Sequence, residues 1–181
     1  MTKIWKPALI CFLAMTVLCG ILYTGAVTGI TQLVFPEKAN GSIITIVSEG
    51  TKKANGSRLI GQTFTEPQYL IGRPVGVSNL SPVGLPQKKS VEERIDWHRK
   101  FNETSGDIPM DLVTGSGSGV DPYISVAAAE FQVPRIAKVR GIVEAKVRQI
   151  IKDSTTSRFL GVFGEPGVNV LEVNLRLDGL L

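Results

Sequence analysis

A long apolar stretch near the N-terminus is the strongest hydrophobic pattern in the chain. No charged residue occurs between Pro7 and Pro36, and no other stretch is comparably apolar. A bilayer core about 30 Å thick requires about 20 mostly apolar residues in a helix. The pattern therefore predicts one transmembrane helix over residues 7–35, followed by a soluble domain over residues 36–181.

The charges that flank this stretch predict its orientation. Two lysines, Lys3 and Lys6, precede it, whereas the two charged residues that directly follow it cancel. An excess of lysine marks the cytoplasmic side of a membrane helix. We therefore expect residues 1–6 in the cytoplasm and residues 36–181 outside, in a single-pass protein of the cell membrane.

Two features of the apolar stretch leave alternatives open. Residues 24–26, Thr-Gly-Ala, fit the small-x-small pattern of a signal peptidase site. The stretch continues to Phe35, however, and is longer than a usual signal-peptide core, which favours a retained anchor. Gly25 and Gly29 are four residues apart and can share a face where a second helix approaches closely. Ordinary tolerance of glycine within a membrane helix explains them equally well.

The rest of the pattern predicts a compact α+β domain without disulfides. Both cysteines, Cys11 and Cys19, lie in the apolar stretch. Short alternating runs next to turn dipeptides indicate strands, and apolar residues at helical spacing indicate helices. A capping box formed by Ser90 and Glu93 predicts a helix that begins there. The predicted strands are residues 43–47, 58–62 and 69–71; the predicted helices are residues 90–101, 126–131, 135–140 and 142–152; residues 108–114 fit either, and residues 168–177 fit either with a slight preference for helix.

Few residues of the soluble domain suit catalysis or cofactor binding. The single histidine, His98, lies among charged neighbours on a predicted helix, and we interpret it as a surface or half-buried residue. Residues 115–119, Gly-Ser-Gly-Ser-Gly, lack the lysine and the glycine spacing of phosphate-binding loops, so a tight turn is the better interpretation. The sequence predicts no catalytic residue and no metal site.

Basic residues between positions 135 and 152 predict a positively charged face. The net charge of the chain is +4, and charge runs of this kind usually form a solvated surface. An acidic partner surface or lipid headgroups are the alternative. Nucleic acid is a poor candidate, because a domain outside the membrane rarely meets it. The face would comprise Arg135, Lys138, Arg140, Lys146, Arg148 and Lys152.

Ordered blocks along nearly the whole chain resemble one protein family. The most specific block is residues 112–125, LVTGSGSGVDPYIS, and residues 69–74, YLIGRP, look like the family's Tyr-Phe-x-x-Arg-Pro element. The chain resembles the C subunit of the Kdp potassium-transporting P-type ATPase of bacteria and archaea. One segment departs from the family pattern, because the loop at residues 76–82 is shortened. The remaining blocks lie at residues 7–9, 35–36, 39–42, 56–64, 128–129, 132–140 and 168–175.

The resemblance implies an accessory, non-catalytic subunit of an ATP-driven potassium uptake complex. In that family a potassium-channel-like subunit carries the ion pathway, and a P-type subunit hydrolyses ATP. The C subunit stabilises the assembly, and it is described as a catalytic chaperone that raises the ATP affinity of the ATP-hydrolysing subunit. ATP and K⁺ are therefore expected to act through the complex, with the channel-like subunit, the ATP-hydrolysing subunit and membrane lipid as partners.

The resemblance also implies candidate contact residues. Gln132 matches the position that the family proposes as an ATP contact. The lysine bias places Gln132 outside, whereas ATP is cytoplasmic, and this favours an indirect effect on ATP affinity. Gln132 would then cap the helix break at Pro134. The predicted partner-contact residues are Gly25, Gly29, Ser116, Gly117, Ser118, Gly119, Asp121, Pro122 and Arg135.

The residues alone leave a second function open. A domain without a visible active site usually works by contacting another molecule. It can be an accessory subunit, which predicts stable association with two much larger polytopic proteins. It can also be a lone membrane-anchored binding or sensing domain, which predicts a monomer or homodimer after gentle extraction with detergent.

Overall fold

The computed structural model describes residues 2–48, 51–76 and 79–181, and the chain separates into two compact units, Met1–Ile43 and Ile44–Leu181. Secondary structure is a mixture of helices and short strands, which confirms the predicted combination of one long N-terminal apolar helix with an α+β domain.

The first unit is almost entirely helical. The helix Lys3–Val34 contains an 18-residue window with a mean hydropathy of 2.1, and it is long and apolar enough to cross a membrane. Within this helix the Thr24 hydroxyl donates to the Cys19 carbonyl, five residues back, at 2.9 Å. This spacing accompanies a π-helical segment in the middle of the helix. The elements are α1 (Thr2–Met15), the π-helix (Thr16–Tyr23), α2 (Thr24–Val34) and α3 (Pro36–Ala39).

Two small sheets accompany the helices, and the three-stranded sheet is antiparallel. One pairs β1 (Ile43–Ser48) with β2 (Thr51–Ser57). The other has the order β3-β5-β4 and places its longest strand in the centre. Its strands are β3 (Tyr123–Ile124), β4 (Thr155–Thr156) and β5 (Gly167–Asn169).

Local signals explain where the helices of the second unit begin and end. The Ser125 side chain accepts a hydrogen bond from the Ala128 amide at 3.2 Å, and Gly141 ends a later helix with φ of +64°. Asn169 caps the last helix by accepting from the Glu172 amide at 3.1 Å. The helices are α4 (Leu85–Phe101), α5 (Met110–Val113), α6 (Val126–Glu130), α7 (Val133–Arg140), α8 (Glu144–Asp153) and α9 (Val170–Leu177).

The main core lies between these helices and the three-stranded sheet. Its largest buried apolar side chains include Leu70, Leu112, Ile136, Val147 and Val173. A smaller cluster joins Ile44 and Ile46 of β1 to Leu171 and Leu175 of α9. Helix α9 therefore contributes to both clusters.

Several predicted elements are confirmed, and two predicted strands are wrong. Strand β1 matches the prediction at residues 43–47, whereas residues 58–62 form no strand in the described structure, and β1 pairs with Thr51–Ser57. The sequence also predicts a turn at residues 48–50, of which residues 49–50 lie outside the described residues. Residues 69–71 form no strand in the described structure, because side chains supply their hydrogen-bond partners.

The predicted capping box is also wrong. Helix α4 begins at Leu85, after Gly84 in an extended conformation, because Pro86 has a backbone suited to the first turn of a helix. Ser90 therefore lies inside the helix. The Glu93 carboxylate instead lies 4.0 Å from the Lys89 ammonium, one turn earlier.

The ambiguous C-terminal segment contains both structures. Gly167–Asn169 form a strand, and Val170–Leu177 form a helix, so the preference for helix is confirmed over most of the segment. The change occurs at Asn169, whose side chain caps the helix.

His98 is only 3% exposed, so its interpretation as a surface or half-buried residue is wrong.

Candidate functional site

Two side-chain amides bind the backbone of Leu70 and Ile71 in the core. The Leu70 amide donates to Asn174 Oδ1 at 2.7 Å, and Asn174 Nδ2 donates to the Leu70 carbonyl at 3.0 Å. The Ile71 amide donates to Gln132 Oε1, and Gln132 Nε2 donates to the Ile71 carbonyl, both at 2.9 Å. A primary amide carries the same donor and acceptor as a peptide group. Each side chain therefore replaces one residue of a neighbouring strand.

Two arginines of α7 complete the support of residues 67–71, which we call the braced segment. Arg135 donates to the carbonyl oxygens of Pro67 and Tyr69, the latter at 3.0 Å. Arg140 donates to the Gln68 carbonyl at 2.8 Å. Five consecutive residues thus have backbone groups bonded to side chains of α7, α9 and the residue that precedes α7, Gln132.

Arg135 is the centre of a buried polar network. Its side chain donates to Asn102 Oδ1 at 2.8 Å and to Gln132 Oε1 at 2.7 Å, and its guanidinium lies 4.6 Å from the centre of the Phe101 ring. Burial lowers the pKa of Arg135 to about 10, so the group remains protonated at neutral pH. The neutral oxygens and the aromatic face therefore stabilise a buried cation.

The network continues to His98 on α4. His98 Nε2 lies 3.0 Å from the Leu112 carbonyl oxygen, and Nδ1 lies 3.5 Å from Asn102 Nδ2. A carbonyl can only accept, so Nε2 carries the proton of the neutral ring. Burial lowers the pKa of His98 and the charge of Arg135 lowers it further, while the hydrogen bond to Leu112 partly opposes them.

A second structured region is the loop at residues 115–122, which we call the serine-glycine loop. Ser116 Oγ accepts from the Gly119 amide at 2.9 Å, and Ser118 Oγ accepts from the Val120 amide at 3.2 Å. Asp121 Oδ1 accepts from the Tyr123 amide at 2.9 Å. The loop therefore holds its own shape through short-range hydrogen bonds.

Neighbouring glycines fix the position of this loop. The Gly61 amide donates to the Val120 carbonyl at 2.6 Å, and the Gly76 amide donates to the Gly119 carbonyl at 2.8 Å. A Cβ atom at Gly61 would lie 2.6 Å from the Asp121 carbonyl oxygen, so a side chain there is excluded. A Cβ atom at Gly117 would meet nothing within 4 Å. The tip of the loop is therefore exposed on a fixed base.

Arg73 lies between the serine-glycine loop and a small cavity. Its NH1 is 3.5 Å from Asp111 and 3.9 Å from Asp121, and its buried Nε has no hydrogen-bond partner among the described residues. The cavity has a volume of about 210 Å³, and its lining includes Trp97 and Arg94 of α4. The two carboxylates orient Arg73 beside the loop.

Comparison with known proteins identifies the family. The family model described as "K+-transporting ATPase, c chain", KdpC, matches residues 5–179. The chain belongs to the KdpC family. Curated relatives are named potassium-transporting ATPase KdpC subunit. One from Listeria monocytogenes serovar 1/2a is 54% identical over 98% of this chain and 96% of the relative. One from Clostridium perfringens is 46% identical over 99% of this chain and 98% of the relative. One from Janthinobacterium sp. is 43% identical over 98% of this chain and 99% of the relative.

The family assignment confirms the resemblance, and the structure locates the candidate residues. Gln132 and Arg135 lie together in the buried network, with exposed fractions of 0% and 7%. The candidates from Ser116 to Pro122 lie together in the serine-glycine loop. Gly25 and Gly29 lie on α2 in the first unit, and a Cβ atom at either would meet nothing within 4 Å.

The prediction that the basic residues between positions 135 and 152 form a single solvated face is wrong. Arg135 is buried, and Arg140 donates to two backbone carbonyls and to Asp178. Arg148 pairs with Glu130 and Glu144 at 2.5 and 2.8 Å. The arginines of this KdpC chain are therefore largely occupied by internal partners.

Sequence reasoning missed three residues of the network, namely Asn102, Arg140 as a backbone support, and Asn174. Asn174 is 1% exposed between Val173 and Leu175, which are also buried. A polar residue within an apolar run is a signal for a buried hydrogen-bonding role. The partners of Asn174 lie more than a hundred residues earlier, so the sequence does not name them.

The buried His98 gives a prediction for pH dependence. The folded state lowers its pKa below the ordinary value of about 6.5, so the unfolded state binds more protons as pH falls through that value. We expect stability to decrease as pH falls below about 6.5, measured as the thermal unfolding midpoint in detergent. Trp97 fluorescence can report the protonation of His98, because the centres of the Trp97 and His98 rings are 4.7 Å apart.

The control is His98→Gln, whose amide can donate to the Leu112 carbonyl without titrating. Its unfolding midpoint should change less over the same pH range. An equal decrease in both proteins would show that other groups cause the pH dependence.

Proposed function

We propose that this chain is the accessory subunit of an ATP-driven potassium uptake complex in the cell membrane. It would stabilise the assembly of a channel-like subunit with an ATP-hydrolysing P-type subunit. The observation that carries the proposal is the match of the KdpC family model to residues 5–179. The candidate membrane-spanning helix at Lys3–Val34 supports a position within a membrane complex.

We further propose that the domain after the helix is extracytoplasmic. Lys3 and Lys6 precede the apolar helix, and the two charges that follow it, on Glu37 and Lys38, cancel. This bias favours a cytoplasmic N-terminus. The second unit would then be separated from cytoplasmic ATP by the bilayer.

An effect of this subunit on ATP affinity would accordingly be indirect. The Gln132 side chain makes four hydrogen bonds to protein groups, namely two to Ile71, one to Ala128 and one to Arg135. Its exposed fraction is 0%. A nucleotide would have to displace these bonds and open the core. Gln132 is therefore better suited to holding the braced segment than to binding ATP.

The serine-glycine loop is the stronger candidate for partner contact. Gly117 and Ser118 are exposed, and the base of the loop is fixed by Gly61 and Gly76. A preformed loop loses little conformational entropy when a partner binds. Within the membrane, a close helix contact would use Gly25 and Gly29. Arg135 contributes through the network rather than at a surface, since its donors are used internally.

The orientation predicts how an introduced cysteine will react. In a background with Cys11→Ser and Cys19→Ser, Val143→Cys should be labelled by a membrane-impermeant maleimide in intact cells. The position suits this purpose because Val143 is 71% exposed and lies outside the proposed contact surfaces. Thr2→Cys is the control and should react only after the membrane is permeabilised. The reverse pattern would place the domain in the cytoplasm.

Gln132 and Asn174 provide a matched pair that separates structural support from nucleotide contact. Both amides bind the braced segment, and replacement by alanine leaves backbone groups unsatisfied in the core. We expect Gln132→Ala and Asn174→Ala each to lower the free energy of unfolding by about 2–4 kcal/mol. Chemical denaturation of the purified chain measures this loss.

The same pair is then tested in the assembled complex. The ATP concentration for half-maximal ATPase activity should be similar for both variants, because neither residue would touch ATP. If the two variants are equally stable and only Gln132→Ala increases the ATP concentration for half-maximal activity, direct contact between Gln132 and the nucleotide would be supported.

Affinity purification tests the accessory role itself. A C-terminal tag on this chain, used in mild detergent with potassium-starved cells, should recover the channel-like and ATP-hydrolysing subunits at a fixed ratio. Masses of the recovered proteins identify them. Recovery of this chain alone, from membranes shown to contain both partners, would favour a lone membrane-anchored binding or sensing domain.

A further inference from the structure

A short hairpin between β4 and β5 exposes four large apolar side chains. Phe159, Leu160, Val162 and Phe163 are 71%, 76%, 72% and 65% exposed. We call residues 158–165 the apolar hairpin. Isolated apolar residues are normal on a protein surface, whereas a contiguous group of this size usually marks a contact site.

Internal bonds give the hairpin a defined shape. Phe159 and Phe163 exchange backbone hydrogen bonds of 2.8 and 3.0 Å. At its base, Arg158 NH2 and Glu165 Oε2 are 2.7 Å apart. The turn includes Leu160 with φ of +53°, a conformation that costs a non-glycine residue energy and persists where its surroundings fix it. The apolar side chains are therefore presented on a preformed turn.

Backbone amides at the tip of the hairpin already have hydrogen-bond partners, so the tip can be buried at low cost. The amides of Phe159, Gly161, Val162 and Phe163 all donate to carbonyl oxygens within the hairpin, at 2.8 to 3.2 Å. A buried amide without a partner costs free energy. These four amides have hydrogen-bond partners before any contact forms. A partner that covers the tip therefore removes apolar surface from water without leaving an amide unpaired.

We infer that the apolar hairpin inserts into an apolar recess on a polytopic membrane subunit of the same complex. The inference deepens the proposed function and rests on it. Four side chains with these exposures present on the order of 500 Å², against about 800 Å² buried per partner in a typical stable interface. Aromatic anchors that fill a recess are the usual source of binding energy in such interfaces.

The composition of the hairpin favours a protein recess over the bilayer surface. Residues 158–165 contain no tryptophan or tyrosine, the aromatic residues that are enriched at membrane interfaces. Arg158 is paired, and its partner Glu165 has a side chain that is 81% exposed. The hairpin therefore carries no net positive charge that would attract anionic lipid headgroups. A hydrogen-bonding rim on a protein can accommodate both charges.

Photochemical cross-linking identifies what covers the tip. With p-benzoylphenylalanine in place of Leu160 in the complete complex, irradiation should join this chain to one of the two larger subunits, identified by mass spectrometry. The same group in place of Val143, which is also 71% exposed, is the control and should give a weaker product. Cross-links only to lipid, only to a second copy of this chain, or equally at both positions would overturn the inference.

Substitution then measures the contribution of the anchors. Phe159→Ser/Phe163→Ser should reduce recovery of the larger subunits in the affinity purification by about tenfold or more. Its unfolding midpoint should change little, because both side chains are exposed. Met110→Ser/Val143→Ser, at positions 73% and 71% exposed, is the matched control and should retain recovery within about twofold.

The outcomes separate this inference from the proposed function. Failure of the unsubstituted chain to recover the larger subunits would remove the proposed function and this inference with it. Full recovery with both the unsubstituted chain and Phe159→Ser/Phe163→Ser would leave the accessory role intact and would overturn the inference about the apolar hairpin alone.

Discussion

The hydrogen bonding of residues 67–71 is the constraint on which the second unit depends. The segment turns at residues 66–69 and then enters the main core, where Leu70 is completely buried, but it has no neighbouring strand in the described structure. Its peptide groups still require partners, because unsatisfied backbone groups are costly in an apolar interior. Loss of one supporting side chain would therefore leave both a cavity and an unpaired peptide group. The supports are Gln132, Asn174, Arg135 and Arg140, from two segments that lie far along the chain.

The sequence predicted local features well and long-range partners poorly. The helices predicted at residues 126–131 and 135–140 agree closely with α6 and α7, because Ser125 and Gly141 determine a helix start and a helix end through neighbours within a few residues. Leu70 and Ile71 are buried apolar residues, as their pattern suggested. A strand was predicted over residues 69–71 because the usual partner of such a run is another strand, and that prediction is wrong. The actual partner of Leu70 is Asn174, and no local pattern reveals a pair so far apart.

The candidate site was predictable to a similar degree. Residues 115–119 were correctly expected to form a loop, because they consist of glycine and serine. That the loop has a fixed position depends on Gly61 and Gly76, which belong to a distant part of the sequence. Arg135 was assigned to a charged face by its basic neighbours, whereas its position on α7 directs it into the core. Charge alone does not distinguish a solvated arginine from one that binds backbone carbonyls.

The distribution of polar and apolar groups bears on how such a domain can influence a partner. Because Gln132 supports the core, effects of its substitution on activity do not by themselves imply nucleotide binding. The interior holds a cation, two side-chain amides and a neutral histidine in mutually satisfied positions, and a network of this kind resists partial rearrangement. An effect on a distant nucleotide site then requires only that the domain bind two conformations of its partner with different affinity. That difference must arise at surfaces that the partner covers, which directs attention to the serine-glycine loop and the apolar hairpin rather than to Gln132.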